Sequence, residues 1–174
     1  MYDGSYETFE KLERPDTVTA IIAKNGKILI QQQRQPDSPH SFLSLPGGRC
    51  NRGETPERAI AREALEETGY RPQTLQLWRQ WFPSHKIVYG IYSFVMRGAV
   101  KEQKPTLDVG ERIVCKWIPF EEFIALGSND RFHETQIRIE LLKMASNEKL
   151  KQEFYRLLFS DPFVALGNHK RKRR

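Results

Sequence analysis

The chain has only two cysteines in 174 residues, Cys50 and Cys115. That is too few for a disulfide framework, and their separation is not that of a zinc site. No apolar run approaches the roughly 20 residues that cross a bilayer, which excludes a membrane-spanning helix. The first twenty residues lack the basic-then-apolar pattern of a secretory signal, so a cytoplasmic protein is expected. Glycine (11) and proline (10) are too sparse for a collagen-like chain, and a 39% hydrophobic fraction argues against wholesale disorder. No internal repeat or dividing linker occurs. What remains is one domain's length, enough to bury roughly 70% of the unfolded surface.

The net charge is +6, but Lys170, Arg171, Lys172, Arg173 and Arg174 are the last five residues. Without them the body is near +1. The excess therefore belongs to a tail, which reads as solvated chain more readily than as a nucleic-acid device, although nucleic acid remains a conceivable partner for it.

Three segments are expected: an arm over residues 1–16, a domain over 17–160 that includes carboxy-terminal helices, and a basic, disordered tail over 161–174. Thr17 to Ala23 and Lys27 to Gln33 are β-rich runs around Lys24-Asn25-Gly26, a strong hairpin signal. Residues 34–53 hold Pro36, Pro39 and Pro46-Gly47-Gly48 and read as a loop with a short strand near Phe42 to Leu45. A helix over about 56–68 is well marked by Thr55 as cap, Pro56 at its first position and Gly69 past its end. Strands follow around 74–82, 86–97 and 113–118, with a charged loop over about 98–112. A short helix is expected over 119–126. One or two amphipathic helices, broken near Ser146-Asn147, should fill 131–159. This order predicts a single mixed α/β domain.

On the 56–68 helix, Glu63, Glu66 and Glu67 stand at i, i+3 and i+4 and share one face. No lysine sits among them, and their repulsion costs a few tenths of a kcal/mol per pair. A hard divalent cation would answer that charge, because such ions favour carboxylate oxygens. Arg62 can pair with Glu66 at i, i+4 and hold it in a fixed direction. Gly47 and Gly48 permit close backbone approach, so that a backbone carbonyl there can complete a metal shell. The plain alternative is a solvated charged face.

From Gly48 to Tyr70 these residues resemble the Nudix box, G-x5-E-x7-R-E-U-x-E-E-x-G-U, with U a bulky apolar residue. All seven fixed positions match, and at about 7% per residue type, chance agreement is on the order of 10⁻⁸ per starting point. Ala64 stands at the first U position, where the family usually has a larger residue. The resemblance implies an α/β/α sandwich around a mixed β-sheet and hydrolysis of a diphosphate linked to another moiety. It implies Glu63, Glu66 and Glu67 as ligands of Mg²⁺ or Mn²⁺, the Gly47 carbonyl as a further ligand, Glu54 as a supporting acid and Arg62 as the residue that orients the glutamates.

Arg14-Pro15-Asp16-Thr17-Val18 and Gln33-Arg34-Gln35-Pro36 are similar to the ADP-ribose and nucleoside diphosphate sugar pyrophosphatases. That likeness implies release of a nucleoside monophosphate and a sugar phosphate, with Arg34 on the phosphates. It also implies a homodimer whose amino-terminal arm brings Tyr6 or Phe9 to a base. Ser44 stands where those enzymes commonly have glutamate. A late loop is expected to supply an acidic base; Glu111 matches best and Asp108 is in reserve. Trp78, Trp81 and Phe82 read either as base-stacking or as core residues, and His85 as a contact to a leaving group or a surface residue. Two other functions fit the same residues: a pyrophosphohydrolase of RNA 5′ ends or nucleoside triphosphates, motivated by the tail, and a non-catalytic Nudix-like nucleotide-binding module.

Overall fold

Short β1 (Leu12–Glu13) precedes the expected hairpin, which is formed by β2 (Thr17–Lys24) and β3 (Lys27–Arg34). Its turn residues Asn25 and Gly26 have positive φ of 51° and 73°, the mirror-image turn that matches strand twist. The computed structural model describes residues 4–35, 40–107 and 110–160. Pro36, Pro39, Asp108 and the expected tail over 161–174 lie outside the described residues.

The two arms of the hairpin pair directly only at Ala23 with Ile28 and Lys24 with Lys27. They then splay, and a ribbon of β4 (Phe42–Ser44) and β5 (Gly47–Arg49) enters the gap. β4 pairs with β3, and β5 with β2, both antiparallel. Residues 47–49, expected as loop, are therefore strand. Gly47 lies so close to β2 that a Cβ would collide with the Val18 carbonyl oxygen, which excludes any side chain there.

After the ribbon, α1 (Pro56–Thr68) leads through β6 (Tyr70–Arg71) into β7 (Thr74–Trp81). The stretch expected as one strand over 86–97 is two, β8 (Ile87–Val88) and β9 (Ile91–Arg97). The break falls at Gly90, whose N–H donates to the Asp16 carboxylate at 2.6 Å and whose carbonyl accepts from Thr17 N–H at 2.9 Å. The Gly90 N–H is thus taken by the arm, through Asp16, while its carbonyl already belongs to the pairing with β2. β1 lies parallel to β8. The charged loop contains β10 (Val100–Lys101), paired with β6, and is followed by β11 (Arg112–Pro119). The chain then forms α2 (Phe120–Ala125), α3 (Thr135–Ala145) and α4 (Glu148–Phe159), with the expected break at Ser146-Asn147.

The main sheet runs β11-β3-β2-β9-β7 with the β4–β5 ribbon set against β3 and β2. The β2–β9 pair is parallel and the others are antiparallel, so the sheet is mixed. Alternation along β2 divides its buried side chains between two layers. Val18, Ala20 and Ile22 face α1 with Ile60, Phe94 and Met96. Ile21 and Ala23 face α2, α3 and α4 with Phe123, Ile137, Leu141 and Phe154. Burying Ile21 and Ile22 completely contributes roughly 1.5–3 kcal/mol each. Ala64 is fully buried in the α1 layer, where a small residue lets the helix lie close to the sheet. No helix among the described residues is long and apolar enough to cross a membrane.

Candidate active site

The functional face of α1 is set by its ends. Thr55 Oγ1 accepts from Arg58 N–H at 3.4 Å, and Gly69 closes the helix with φ of 68° and an N–H to Leu65 O at 2.8 Å. With Ala59, Ile60 and Ala64 buried against the sheet, residues 62, 63, 66 and 67 are turned toward β5. They line a cavity of about 520 Å³ together with Gly47, Gly48 and Glu111.

Arg62 is the hub of the exposed side. Its Nε and Nη2 donate to both oxygens of Glu54 at 3.1 and 2.9 Å, and Nη1 donates to Glu63 at 2.8 Å and Glu66 at 3.1 Å. The expected i, i+4 pair is present, and Glu54 holds the guanidinium in a two-pronged grip. The Arg62 hydrogen bond holds the Glu54 carboxyl below its ordinary range, whereas burial pushes the Glu63 carboxyl up. Gly48 backs directly onto the Glu63 carboxylate, leaving no space for a Cβ.

Glu67 differs from its neighbours. It is 8% exposed, and its Oε2 accepts from Gly47 N–H at 2.9 Å and Gln31 Nε2 at 3.0 Å. Both donors are neutral, and among the described residues nothing donates to Oε1. Burial pushes the carboxyl up to about 8. Because one strand residue turns its N–H and C=O to the same side, the Gly47 carbonyl also points away from β2.

Among the described residues, no three carboxylate, imidazole or thiol groups converge as a formed metal shell. Glu63 and Glu66 are drawn instead to Arg62. The donor set still suits a hard dication: three carboxylates stand on one helix face, and one of them is buried without a countercharge. The late loop is pinned beside them, with Thr106 N–H donating to Glu66 O at 2.7 Å. Glu111 beyond it lines the same cavity and adds to the negative field at Glu67.

Other expected residues are not brought to this cavity. Arg34 is exposed at the end of β3, and Gln33 and Gln35 line the wall in its place. Tyr6 and Phe9 are exposed and do not line the cavity in this chain. Trp78 sits at a bulge in β7 and packs on Phe154 at 4.8 Å, with Trp81 at its edge, so both tryptophans belong to the core layer. Phe82 and His85 are exposed outside the cavity. Cys50 and Cys115 are free thiols. Gln31 escapes sequence reasoning, because it stands first in a run of three glutamines and nothing in the sequence marks it from the other two.

The NUDIX domain family model matches residues 13–142, a span from β1 into α3. The chain is 22% identical over 154 residues to an ADP-ribose pyrophosphatase of Bacillus subtilis, covering 87% of this chain and 83% of that protein. It is 33% identical over 126 residues to a GDP-mannose pyrophosphatase of Yersinia enterocolitica, covering 68% and 66%. Its fold is similar to a crystal structure of an ADP compounds hydrolase, with a TM-score of 0.68 at 17% identity over 87% and 82% of the two chains. A signature helix that turns its glutamates onto a glycine strand, and a family match extending well beyond that helix, have one meaning: this chain belongs to the Nudix family and is a Nudix hydrolase with pyrophosphatase activity.

Proposed function

We propose that the substrate is ADP-ribose or a nucleoside diphosphate sugar, split at the diphosphate into a nucleoside monophosphate and a sugar phosphate with Mg²⁺ or Mn²⁺ as cofactor. The observation that carries the metal in this reading is Glu67, a buried carboxyl group with neutral donors on one oxygen and, among the described residues, none on the other. Glu63, Glu66, Glu67 and the Gly47 carbonyl hold the cation. When bound, it neutralises diphosphate oxygens and lowers the pKa of a coordinated water. Arg62 keeps Glu63 and Glu66 at the cavity wall. Glu111 takes the proton of the attacking water as the new P–O bond forms and the bridging P–O bond breaks. The activities for which the Bacillus and Yersinia relatives are named favour this substrate class. In the same reading a second copy of the chain lends Tyr6 or Phe9 to the base, and light scattering tests that dimer.

The deciding experiment is a panel of ADP-ribose, nucleotide sugars, nucleoside triphosphates and 5′-triphosphorylated RNA, each with Mg²⁺ or Mn²⁺, scored by which bond breaks. Turnover should be greatest on the diphosphate-linked compounds, and Glu67→Gln should lower it by about 10² or more. Preferential hydrolysis of triphosphates or RNA ends would refute the substrate reading. Unchanged turnover in Glu67→Gln would refute the metal site.

A further inference from the structure

Gln31 lies in the middle of β3, fully buried, and its side chain points to the α1 face of the sheet. Its Nε2 donates to Glu67 Oε2 at 3.0 Å. Its Oε1 accepts from Gln33 Nε2 at 2.6 Å and from Ser44 Oγ at 3.4 Å. These contacts admit one orientation of the amide. Turned over, its NH₂ would meet the NH₂ of Gln33, and its carbonyl oxygen would meet the carboxylate. The ionised Glu67 only accepts, so it takes the NH₂ end of Gln31, and Gln33 and Ser44, neither hydrogen-bonded to Glu67, hold the opposite end of the amide.

Both fixed donors to Glu67, the Gln31 amide and the Gly47 N–H, converge on the same oxygen. The carboxylate is thereby held in one rotamer, with Oε1 left over. We infer that Gln31 is a positioning residue: its amide, locked by Gln33 and Ser44, fixes Glu67 so that Oε1 is presented to a divalent cation in the cavity. This rests on the metal reading above and adds to it a residue outside the signature helix. A buried polar chain is stable only when every member is satisfied, and removing partners that orient a ligand typically costs 10–100-fold in metal affinity.

The test is Mn²⁺ binding by the full chain, followed through the electron paramagnetic resonance signal of free aqueous Mn²⁺, beside a thermal melt without metal. Gln31→Met keeps length and volume but has no amide, and should raise the Mn²⁺ dissociation constant about tenfold or more. Gln33→Leu leaves the Gln31 amide in place but removes the nearer of its two partners, along with one polar residue of the cavity wall, and should raise the constant by a smaller factor than Gln31→Met does. Gln32→Met, on the same strand but bonded to Ser41 and Lys116 instead, should bind as wild type does. A folded Gln31→Met protein that binds Mn²⁺ like wild type overturns the inference. If Gln31→Met does not fold, Gln33→Leu decides, and an unchanged constant there overturns it equally. A wild-type chain that takes up no Mn²⁺, or a Glu67→Gln chain that takes it up undiminished, overturns the metal reading and this inference with it. Loss in the Glu67, Gln31 and Gln33 variants, with Gln32→Met binding as wild type does, supports both.

Discussion

A second carboxyl group that the fold desolvates without an ion pair lies just ahead of α3, on a half-buried residue. Glu134 begins α3 with its carboxyl turned inward, where Oε1 accepts from Leu45 N–H at 3.2 Å and burial pushes it up to about 7. Arg14 and His133 line a small cavity with it, apart from the one at α1, and neither forms an ion pair with it. The unfolded group titrates near 4.3, so between about pH 4.3 and 7 the folded chain keeps a proton that the unfolded chain releases. Its contribution to stability is complete below that range and is lost as pH rises through 7, by up to about 3 kcal/mol. Glu134→Gln should therefore melt above wild type at pH 8 and no higher at pH 5. A shift of the same size at both values would contradict this assignment.

At the scale of elements, the two ends of α1 separate stability from activity. Thr55 caps its start and does not line the cavity, and Thr55→Ala should lower stability by about 1 kcal/mol with turnover unchanged. Gly69 sits at a left-handed position where a Cβ would run into Gln103 O, and its own carbonyl accepts from Glu102 N–H at 2.8 Å. Gly69→Ala should cost more than about 1 kcal/mol and should also lower turnover, because the segment leading to Glu111 hangs from that carbonyl. Melting curves and kcat on the two proteins separate the effects; equal loss of kcat in both would argue against the anchoring of the loop.

What the sequence makes legible divides along the same line. The helix ends are marked by local chemistry at Thr55, Pro56 and Gly69, and the hairpin by Asn25-Gly26, so both can be read without the rest of the fold. Residues 47–49 cannot, because nothing in Gly47-Gly48-Arg49 favours a strand; the gap between β2 and β3 imposes it. The same holds for Gln31 and Gln33, which read as surface residues until the ribbon and α1 cover them. For Arg34 the likeness to the pyrophosphatases implies a contact with the phosphates, whereas the cavity wall takes the residues on either side of it.

For the molecule as a whole, the basic excess lies at residues 170–174, whereas the cavity is lined by carboxylates at 63, 66, 67 and 111. Removing residues 169–174 should leave turnover of diphosphate-linked compounds unchanged. A selective loss on 5′-triphosphorylated RNA, measured in the same assay, would instead give the tail a substrate of its own.

The splayed hairpin ties these scales together. The strand that carries Gly47 is held by β2 on one side and holds Glu67 on the other, so the carboxylate is stitched into the central sheet and not hung from its rim. A chain that has lost the ribbon has also lost one of the two donors that hold Glu67. Disorder in the ribbon is therefore felt twice, once as a weaker sheet and once as a looser carboxylate.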